Sequence, residues 1–465
     1  MRFYTLICAL AISAASLAQN ATDGGISAET LKQLRDANSF SPADKALRNA
    51  LAANSINSLS TTAYNPAVND KHFSNKVKSS GITDQQHSGR CWLFTGLNVM
   101  RARAIAKFDL GDFQFSQSYC FFYDQLEKCN LFLQATIDNA SKPMDDKLVE
   151  WLFQNPLSDG GQFTGIQDIV SKYGLVPAEV MPESFNANNT SKMAQILKSQ
   201  LREWGLQLRK AAAAGEKKAA LAKRKTEMLK TVYHILAVCL GEPPVEFSWT
   251  RSNSKGEPVE TKTYTPKSFY QEMVGIDLKN TYIMLMNDPT REYYKLYTID
   301  LDRHVYDGDN WTFVNLPVDD IKPFAIASIK DSTMMYFSCD VGKCYNSKTG
   351  VLSVDNYDYE SLFGIKFNMD KADRIRSFDS ASSHAMTLMA VDLDKDGKPT
   401  KWMVENSWGA DSGYKGHVIM TDKWFNEYMF RLVVDKKYVS QKVLDVLKQK
   451  PTKLPAWDPL FAPEE

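Results

Sequence analysis

The sequence has few cysteines and no arrangement of them that suits a metal. Seven of the 465 residues are cysteine, without paired CxxC motifs or Cys/His groups at metal-ligand spacing. A zinc site is therefore not expected. The cysteine density is also too low for a disulfide scaffold. Cys120 and Cys239 lie in apolar runs, where a buried reduced thiol is the preferred interpretation.

Net charge and low-complexity sequence are also lacking. Lys plus Arg and Asp plus Glu both number 55, so bulk charge argues neither for nor against a polyanionic partner. Hydrophobic residues make up 44% of the chain, and no low-complexity tract suggests general disorder. Because 465 residues exceed the usual limit of one hydrophobic core, we expect two or more lobes.

Long hydrophobic runs are absent except at the start of the chain. Arg2 precedes an apolar run over residues 3–15, and Ser16-Leu17-Ala18 follows before Gln19. This pattern is typical of a signal peptide with a small-residue cleavage site. A membrane anchor is the weaker alternative, since the run is too short to span a bilayer. We expect residues 1–18 to be removed and the protein to be exported, as a periplasmic or secreted protein.

The stretch QQHSGRCWLF gives the first indication of chemistry. Its cysteine, Cys91, opens a run with apolar residues at three- and four-residue steps, which predicts a helix buried on a broad face. A helix N-terminus favours the thiolate that attacks a carbonyl, and Ser88 and Gly89 would supply the cap and the turn. The Gln85 amide could stabilise the resulting oxyanion. A buried structural cysteine is the alternative.

Helical patterns dominate the first half of the chain. Residues 19–70 are predicted as an N-terminal arm with short helices near 30–35 and 42–53. Residues 71–185 are predicted as a helical lobe, and 186–280 as an inserted helical subdomain. Further helices in the lobe are predicted at 116–132, 147–155 and 163–173.

The middle of the inserted subdomain is basic. Residues 201–230 contain nine Lys or Arg against three Glu. A basic helical face can bind nucleic acid. A solvated face or a subunit contact is preferred, because stacking aromatics are nearly absent. A nucleic-acid-binding scaffold remains an alternative function.

The pattern changes to strands after residue 244. β-Branched and aromatic segments between turn residues predict strands at 282–286, 294–299, 312–316, 334–340, 385–392, 401–405, 415–421 and 430–434. The strands at 385–392 and 401–405 form a predicted hairpin. Residues 281–450 are then a β lobe and 451–465 a C-terminal arm. The fold class is α+β.

The hairpin brings His384, at the start of its first strand, near Asn406, at the end of its second. A thiolate needs a base, and the base needs an acceptor that holds its ring. The Asn406 carbonyl can accept from one imidazole nitrogen and leave the other for the sulfur of Cys91. Trp408 could shield that hydrogen bond from water. Each residue alone has an ordinary structural explanation, but the joint occurrence of Gln85, Cys91, His384 and Asn406, in that order and on those elements, is much harder to obtain by chance.

The sequence resembles the papain-like cysteine peptidases, and specifically the bleomycin hydrolase/aminopeptidase C family. The resemblance covers nearly the whole chain after residue 75. It rests on QxxSGRCWLF, SQSYxFFYDxLEKxN, DGGQ, KYGLVP, MxPESFN, ILxxCLGEPP, NDP, YFSCDVGK, SSHAMTLxxVD, VENSWG and the closing WDP.

The resemblance implies a papain-like two-lobe fold, with a helical lobe, an antiparallel β-sheet or barrel lobe and an inserted helical subdomain. It implies Cys91 as nucleophile, His384 as general base and acid, Asn406 as the residue that orients the imidazole, and Gln85 as oxyanion donor. No metal or other cofactor is implied.

For the substrate, the resemblance implies that Gly160 and Gly161 line the cleft and that Trp408 borders it. The C-terminal arm, residues 454–465, would lie in the groove, where the carboxylate of Glu465 meets the substrate ammonium. Aminopeptidase action on peptides follows, in an assembly of six subunits. An endopeptidase is the alternative if the arm is clipped. Membrane and nucleic-acid partners are not expected.

Three features depart from the family pattern. Its members are mostly cytosolic, so an unused signal would mean a cytoplasmic protein. The arm matches only through Trp457-Asp-Pro459 and then ends with Phe461, Pro463 and Glu464-Glu465 instead of small residues. Asp84 stands where Asn is usual. The second departure bears on specificity, because the reach of the arm decides how many residues are removed.

Overall fold

A computed structural model describes residues 24–461, so the predicted signal peptide and the last four residues lie outside the described chain. The helices are α1 (Ala28–Ala37), α2 (Pro42–Ala53), α3 (Ile56–Ser60), α4 (Cys91–Phe108), α5 (Gln117–Asp138), α6 (Lys147–Gln154), α7 (Phe163–Tyr173), α8 (Phe185–Asn188), α9 (Ser191–Ala213), α10 (Lys218–Leu240), α11 (Pro266–Met273), α12 (Leu278–Thr281), α13 (Val318–Lys330), α14 (Tyr359–Phe363), α15 (Lys371–Arg376), α16 (Asp422–Tyr428) and α17 (Gln441–Leu444).

The strands are β1 (Asn75–Lys76), β2 (Phe247–Ser252), β3 (Pro258–Tyr264), β4 (Tyr282–Met286), β5 (Lys295–Ile299), β6 (Thr312–Asn315), β7 (Met335–Cys339), β8 (Tyr345–Asn346), β9 (Val351–Leu352), β10 (His384–Leu393), β11 (Pro399–Glu405), β12 (His417–Thr421), β13 (Met429–Asp435) and β14 (Thr452–Leu454).

One compact unit consists of residues 24–61 and 359–364 of the described chain. Helices α1, α2 and α3 are each preceded by an N-cap serine whose side chain accepts a hydrogen bond from a first-turn backbone N–H. Helices α1 and α2 confirm the two helices predicted in the N-terminal arm. Within this unit α14 packs against α3, where Tyr359 donates to the Asn57 side chain at 3.0 Å.

The second unit, residues 62–358 and 365–461, contains two hydrophobic cores that meet at α4. Every residue from Cys91 to Arg101 is buried, and α4 packs against α5, α7 and β10. Gly96 permits the close approach of α7, because a Cβ there would lie 2.4 Å from Ile166. The predicted helix that begins at Cys91 is confirmed.

Helices α9 and α10 belong to the helical core. Their apolar residues recur at three- and four-residue steps, among them Leu197, Leu201, Val232 and Leu236, and pack with those of α5. The predicted insertion at 186–280 therefore has no separate core. It is also helical only in part, because β2 and β3 pair as an antiparallel hairpin. Buried and exposed residues alternate at the start of β2, which is the period of a strand.

The basic stretch at 201–230 is partly neutralised by its own sequence. Arg224 pairs with Glu216 at 2.6 Å, and Lys230 pairs with Glu227 at 2.8 Å. These side chains are largely exposed. Such contacts fit the solvated face preferred above.

The large sheet has the strand order β14-β5-β6-β4-β13-β7-β10-β11-β12-β9-β8, with β1 on β10. Most neighbours are antiparallel, as predicted, but the β4–β6, β5–β14 and β9–β12 pairs are parallel. Strand β6 follows β5 in sequence but lies between β5 and β4 in the sheet. It pairs antiparallel with β5 and parallel with β4.

The predicted hairpin is confirmed as β10 and β11. Strand β10 begins at His384, opposite Cys339 of β7, and β11 ends at Glu405, one residue before Asn406. Arg101 of α4 forms a buried ion pair with Glu405. The helix that begins at Cys91 is thereby attached to the strand that presents Asn406.

Other features of the described chain bear on the sequence predictions. None of the six cysteines within residues 24–461 forms a disulfide. Cys120 is buried, as expected, whereas Cys239 is only partly buried. No helix in this range is long and apolar enough to cross a membrane. In the same range, no three His, Cys, Asp or Glu side chains are grouped to hold a metal ion.

Candidate active site

The structure brings four of the predicted residues to one cleft. Gln85, Cys91, His384 and Trp408 line a cavity of about 970 Å³ in the second unit. One wall is the loop that precedes α4, a second is α9, and a third is formed by the ends of the sheet strands. Residues more than 300 positions apart in sequence therefore face the same space.

His384 and Asn406 form a buried hydrogen-bonded pair. The distance from His384 Nε2 to Asn406 Oδ1 is 2.8 Å. The Ser407 backbone N–H donates to the same oxygen at 2.8 Å, which fixes the orientation of the amide. Nε2 of the imidazole is therefore the donor, and Nδ1 is left with the lone pair. The Trp408 ring covers the pair, stacked on His384 at 4.6 Å and 25°.

Burial keeps the His384 imidazole neutral. Loss of solvation lowers its pKa to about 4, and the hydrogen bond to Asn406 opposes this shift only in part. A neutral imidazole with a free Nδ1 lone pair can accept the proton of a thiol.

Gln85 is held from both ends of its amide. Nε2 donates to the Ser88 carbonyl at 2.6 Å, and Oε1 accepts from the Ser407 hydroxyl at 2.7 Å. Its backbone N–H also donates to the Ser407 carbonyl at 2.8 Å. Because an amide nitrogen carries two hydrogens, one remains for a ligand in the cleft.

The start of α4 differs from the prediction. The N-cap is Arg90, without a side-chain hydrogen bond, so Ser88 does not cap the helix. The Ser88 hydroxyl is engaged elsewhere, since it donates to the Gln85 carbonyl at 2.6 Å and accepts from Arg90 Nε at 3.0 Å. Arg90 is buried and pairs with Glu183 at 2.8 Å. These contacts fix the turn between Gln85 and Cys91.

Asp159 supports this turn, and the sequence analysis missed it. One carboxylate oxygen accepts from the Gly89 backbone N–H at 2.7 Å and from the Thr190 hydroxyl at 2.5 Å. The Asp159 carbonyl accepts from Trp92 Nε1 at 2.9 Å. A Cβ at position 89 would lie 2.5 Å from this carboxylate, so Gly89 allows the contact. The position of Asp159 directly before Gly160 and Gly161 is the sequence signal that could have identified this residue.

Gly160 and Gly161 line a cavity of about 130 Å³ together with Lys128, His304 and Ala456. They directly follow Asp159, which lines the cleft with Cys91. Their contact with substrate stays a prediction. A Cβ on Gly161 would lie 2.3 Å from the His304 ring, so the close approach that this glycine permits is to a side chain of the protein itself.

A second buried histidine–carboxylate pair supports that cavity. His304 Nδ1 lies 2.5 Å from Asp124 Oδ1, and Asp124 pairs with Lys128 at 2.9 Å. Lys128 also donates to the Gly160 carbonyl at 2.6 Å. Burial lowers the pKa of His304. No local sequence signal joins these residues, because His304 is 180 positions from Asp124.

The C-terminal arm is attached to the second unit through Leu460. Strand β14 pairs with β5, Asp458 pairs with Arg291 at 2.6 Å, and Arg431 donates to the Leu460 carbonyl at 2.6 Å. The predicted substrate contact Glu465 lies outside the described residues.

The sequence profile of the Peptidase C1-like family matches residues 25–461. The chain belongs to this family. Human bleomycin hydrolase is 41% identical over 401 residues, which cover 84% of this chain and 88% of that protein. Aminopeptidase C of Lactobacillus delbrueckii subsp. lactis is 36% identical over 442 residues, covering 94% and 98%.

The fold agrees with this membership in the Peptidase C1-like family. The crystal structure of PepW from Lactobacillus rhamnosis matches with a TM-score of 0.91 at 35% identity, covering 95% of this chain and 100% of PepW. The papain-like fold and the family resemblance predicted from the sequence are confirmed.

Proposed function

We propose that this chain is a cysteine aminopeptidase that removes N-terminal residues from peptides. Aminopeptidase C and bleomycin hydrolase are its relatives, and a papain-like cysteine peptidase is the class they indicate. The observation that carries the proposal is the His384–Asn406 hydrogen bond in the cleft that Cys91 lines.

In this proposal Cys91 is the nucleophile. His384 Nδ1 takes the thiol proton, and the sulfur attacks the carbonyl carbon of the scissile amide. The same imidazole then protonates the leaving amine, while Asn406 holds the ring. Water attacks the thioester, and release of the acid regenerates the thiol.

Gln85 is the proposed oxyanion donor. Its Nε2 uses one hydrogen on the Ser88 carbonyl and keeps the other for the negative charge that develops on the substrate oxygen. The Ser407 hydroxyl holds the opposite end of the amide, so the donor is oriented before substrate binds. Trp408 is the proposed border of the substrate site.

The direct test is product analysis on a defined peptide, with free and acetylated N-termini. We expect wild-type protein to release the first residue of the free peptide only, and Cys91→Ala to release none. Retained, chelator-sensitive activity in Cys91→Ala would contradict the cysteine mechanism. Equal cleavage of the acetylated peptide would contradict the aminopeptidase assignment.

The end of the arm distinguishes an aminopeptidase from an endopeptidase. The anchors at Asp458 and Leu460 hold the arm up to the last few residues. We propose that residues 462–465 extend into the cleft, with Glu465 facing the substrate ammonium. Deletion of 462–465 leaves the anchors in place and should add internal cleavage of blocked peptides. An unchanged product pattern would argue against this role.

Export and self-association complete the proposal. The charged start and apolar run of residues 1–18 support export with cleavage, which N-terminal sequencing of the protein from its host would test.

Exposed apolar side chains at Ile365, Phe367, Met369 and Phe378 support assembly into a homo-oligomer, for which the family resemblance suggests six copies.

A further inference from the structure

One wall of the catalytic cleft is a single face of α9. The cleft residues Ser191, Ala194, Gln195, Lys198, Ser199 and Arg202 recur at three- and four-residue steps, which places them on one side of the helix. This face begins beside the nucleophile loop, because Thr190 donates to the same Asp159 oxygen that accepts from Gly89.

The cations on this face are not neutralised by carboxylates. Lys198 makes no ion pair in the described part of the chain. Arg202 donates to the backbone carbonyls of Phe153 and Gln154, at 2.8 and 3.1 Å, and these contacts leave its charge uncancelled. Both side chains lie on the cleft wall four residues apart, so their potentials add.

The acidic side chain of the cleft is already engaged. Asp159 is the one carboxylate among the described cleft residues, and its hydrogen bonds to Gly89 and Thr190 hold it at the nucleophile end. Lys198 lies eight positions beyond Thr190, about 12 Å along a helix. An extended peptide covers that distance in roughly four residues.

We propose that Lys198, reinforced by Arg202, makes the cleft select a carboxylate. This inference rests on the proposed function and specifies its substrate class. The carboxylate can come from an acidic side chain or free C-terminus of a short peptide. It can also come from this chain's own end, Glu464-Glu465.

The test compares peptides that differ only in charge. One series carries Glu or Gln at each of the first five positions, and a second ends in a free carboxylate or an amide. For wild type we expect kcat/KM to be about two- to fivefold higher for the carboxylate member at the matching position, the range of a solvent-exposed ion pair. Lys198→Gln should bring that ratio to about one, and Lys198→Glu should invert it.

The matched control is Lys210→Gln. Lys210 is exposed on the same helix but lies outside the cleft. This variant should keep the wild-type ratio.

A variant that ends at Phe461 separates the two sources of carboxylate. If the full chain already prefers peptides that carry the carboxylate, the carboxylate that Lys198 binds belongs to the substrate. A preference that appears only after truncation, and is lost again in Lys198→Gln, identifies the chain's own acidic end as the occupant. A preference that survives Lys198→Gln, or that is absent from both full and truncated proteins, overturns the inference.

Peptide binding to the Cys91→Ala variant measures the carboxylate preference independently of catalysis. Calorimetry compares the affinities of the Glu and Gln peptides for full-length and truncated Cys91→Ala. Each form that retains Lys198 should show the same ratio as its kcat/KM values, and adding Lys198→Gln should bring the ratio to about one. If wild type hydrolyses no peptide while this preference is present, the proposed function fails and the carboxylate selection stands. Equal affinities in every form overturn the selection.

Discussion

Asn406 uses only one end of its side chain. Its Oδ1 accepts from His384 and from the Ser407 backbone, whereas the buried Nδ2 has no hydrogen-bond partner among the described residues. A buried donor without a partner costs about 1–3 kcal/mol. The residue is therefore suited to position the imidazole at some expense in stability.

Asn406→Asp should raise the pKa of His384. A carboxylate beside the ring favours the imidazolium, so the pKa should rise from about 4 by about 1–3 units. Histidine-selective NMR titration in the Cys91→Ala background measures this, with His384→Gln to assign the signal among six histidines. An unchanged titration would show that the residue at 406 does not control the ring.

Asp168→Asn should stabilise the protein at alkaline pH. Burial raises the pKa of Asp168 from 3.8 to about 7. Between these values the unfolded carboxyl is ionised while the folded one keeps its proton, so folded-state stability falls as pH rises through this window. The substitution should increase the free energy of unfolding by about 2–4 kcal/mol at pH 8 and by much less at pH 4.

Denaturant unfolding at the two pH values measures the difference. A gain of equal size at both would mean that ionisation of Asp168 is not its cause.

The contact between α4 and β11 depends on a buried ion pair. Arg101 and Glu405 are almost fully inaccessible, and Ser79 donates to the second Glu405 oxygen at 2.7 Å. Arg101→Met should cost about 3–5 kcal/mol, because it leaves a buried carboxylate without its counter-charge. Arg101→Met with Glu405→Leu should cost less than the sum of the single changes. Additive costs in this double-mutant cycle would show that the pair does not couple helix and strand.

The elements that carry the proposed catalytic residues were predictable because their patterns are local. Helix α4 follows three- and four-residue periodicity from Cys91, and β10 and β11 flank a clear turn. Helix α13 was missed because Pro323 lies inside it. The inserted helical subdomain predicted at 186–280 contains two long helices, α9 and α10, between which the chain turns at Gly215 with a positive φ.

Side-chain contacts within the loop before α4, and contacts between distant residues, account for what the sequence did not predict at the site. Ser88 was expected to cap α4, but its hydroxyl bonds to Gln85 and Arg90. The contact of Gly160 and Gly161 with substrate stays a prediction. The close approach of His304 to Gly161 was not foreseen, because no local sequence pattern reports it.

In the whole molecule, the stretch from Ile365 to Phe378 should mediate self-association. Phe367 and Phe378 are 72% and 78% exposed, which is unusual for side chains of this size. We expect multi-angle light scattering to show an oligomer, six copies on our proposal, for wild type and a smaller species for Phe367→Ser with Phe378→Ser. Val245→Ser, at an equally exposed apolar position, is the control. A mass unaffected by the double change would place the interface elsewhere.

The bond between Gln85 and Ser407 has a consequence for how substrate meets the enzyme. Residues 83–85 and 407–409 exchange backbone hydrogen bonds, and the Ser407 backbone N–H also donates to the Asn406 side chain. Gln85, the proposed oxyanion donor, is therefore linked to the His384 imidazole through Ser407 and Asn406. Because these groups are already in position before a peptide binds, binding does not have to rearrange them. The rate of turnover of short peptides should therefore depend on access to the cleft and not on a closing motion.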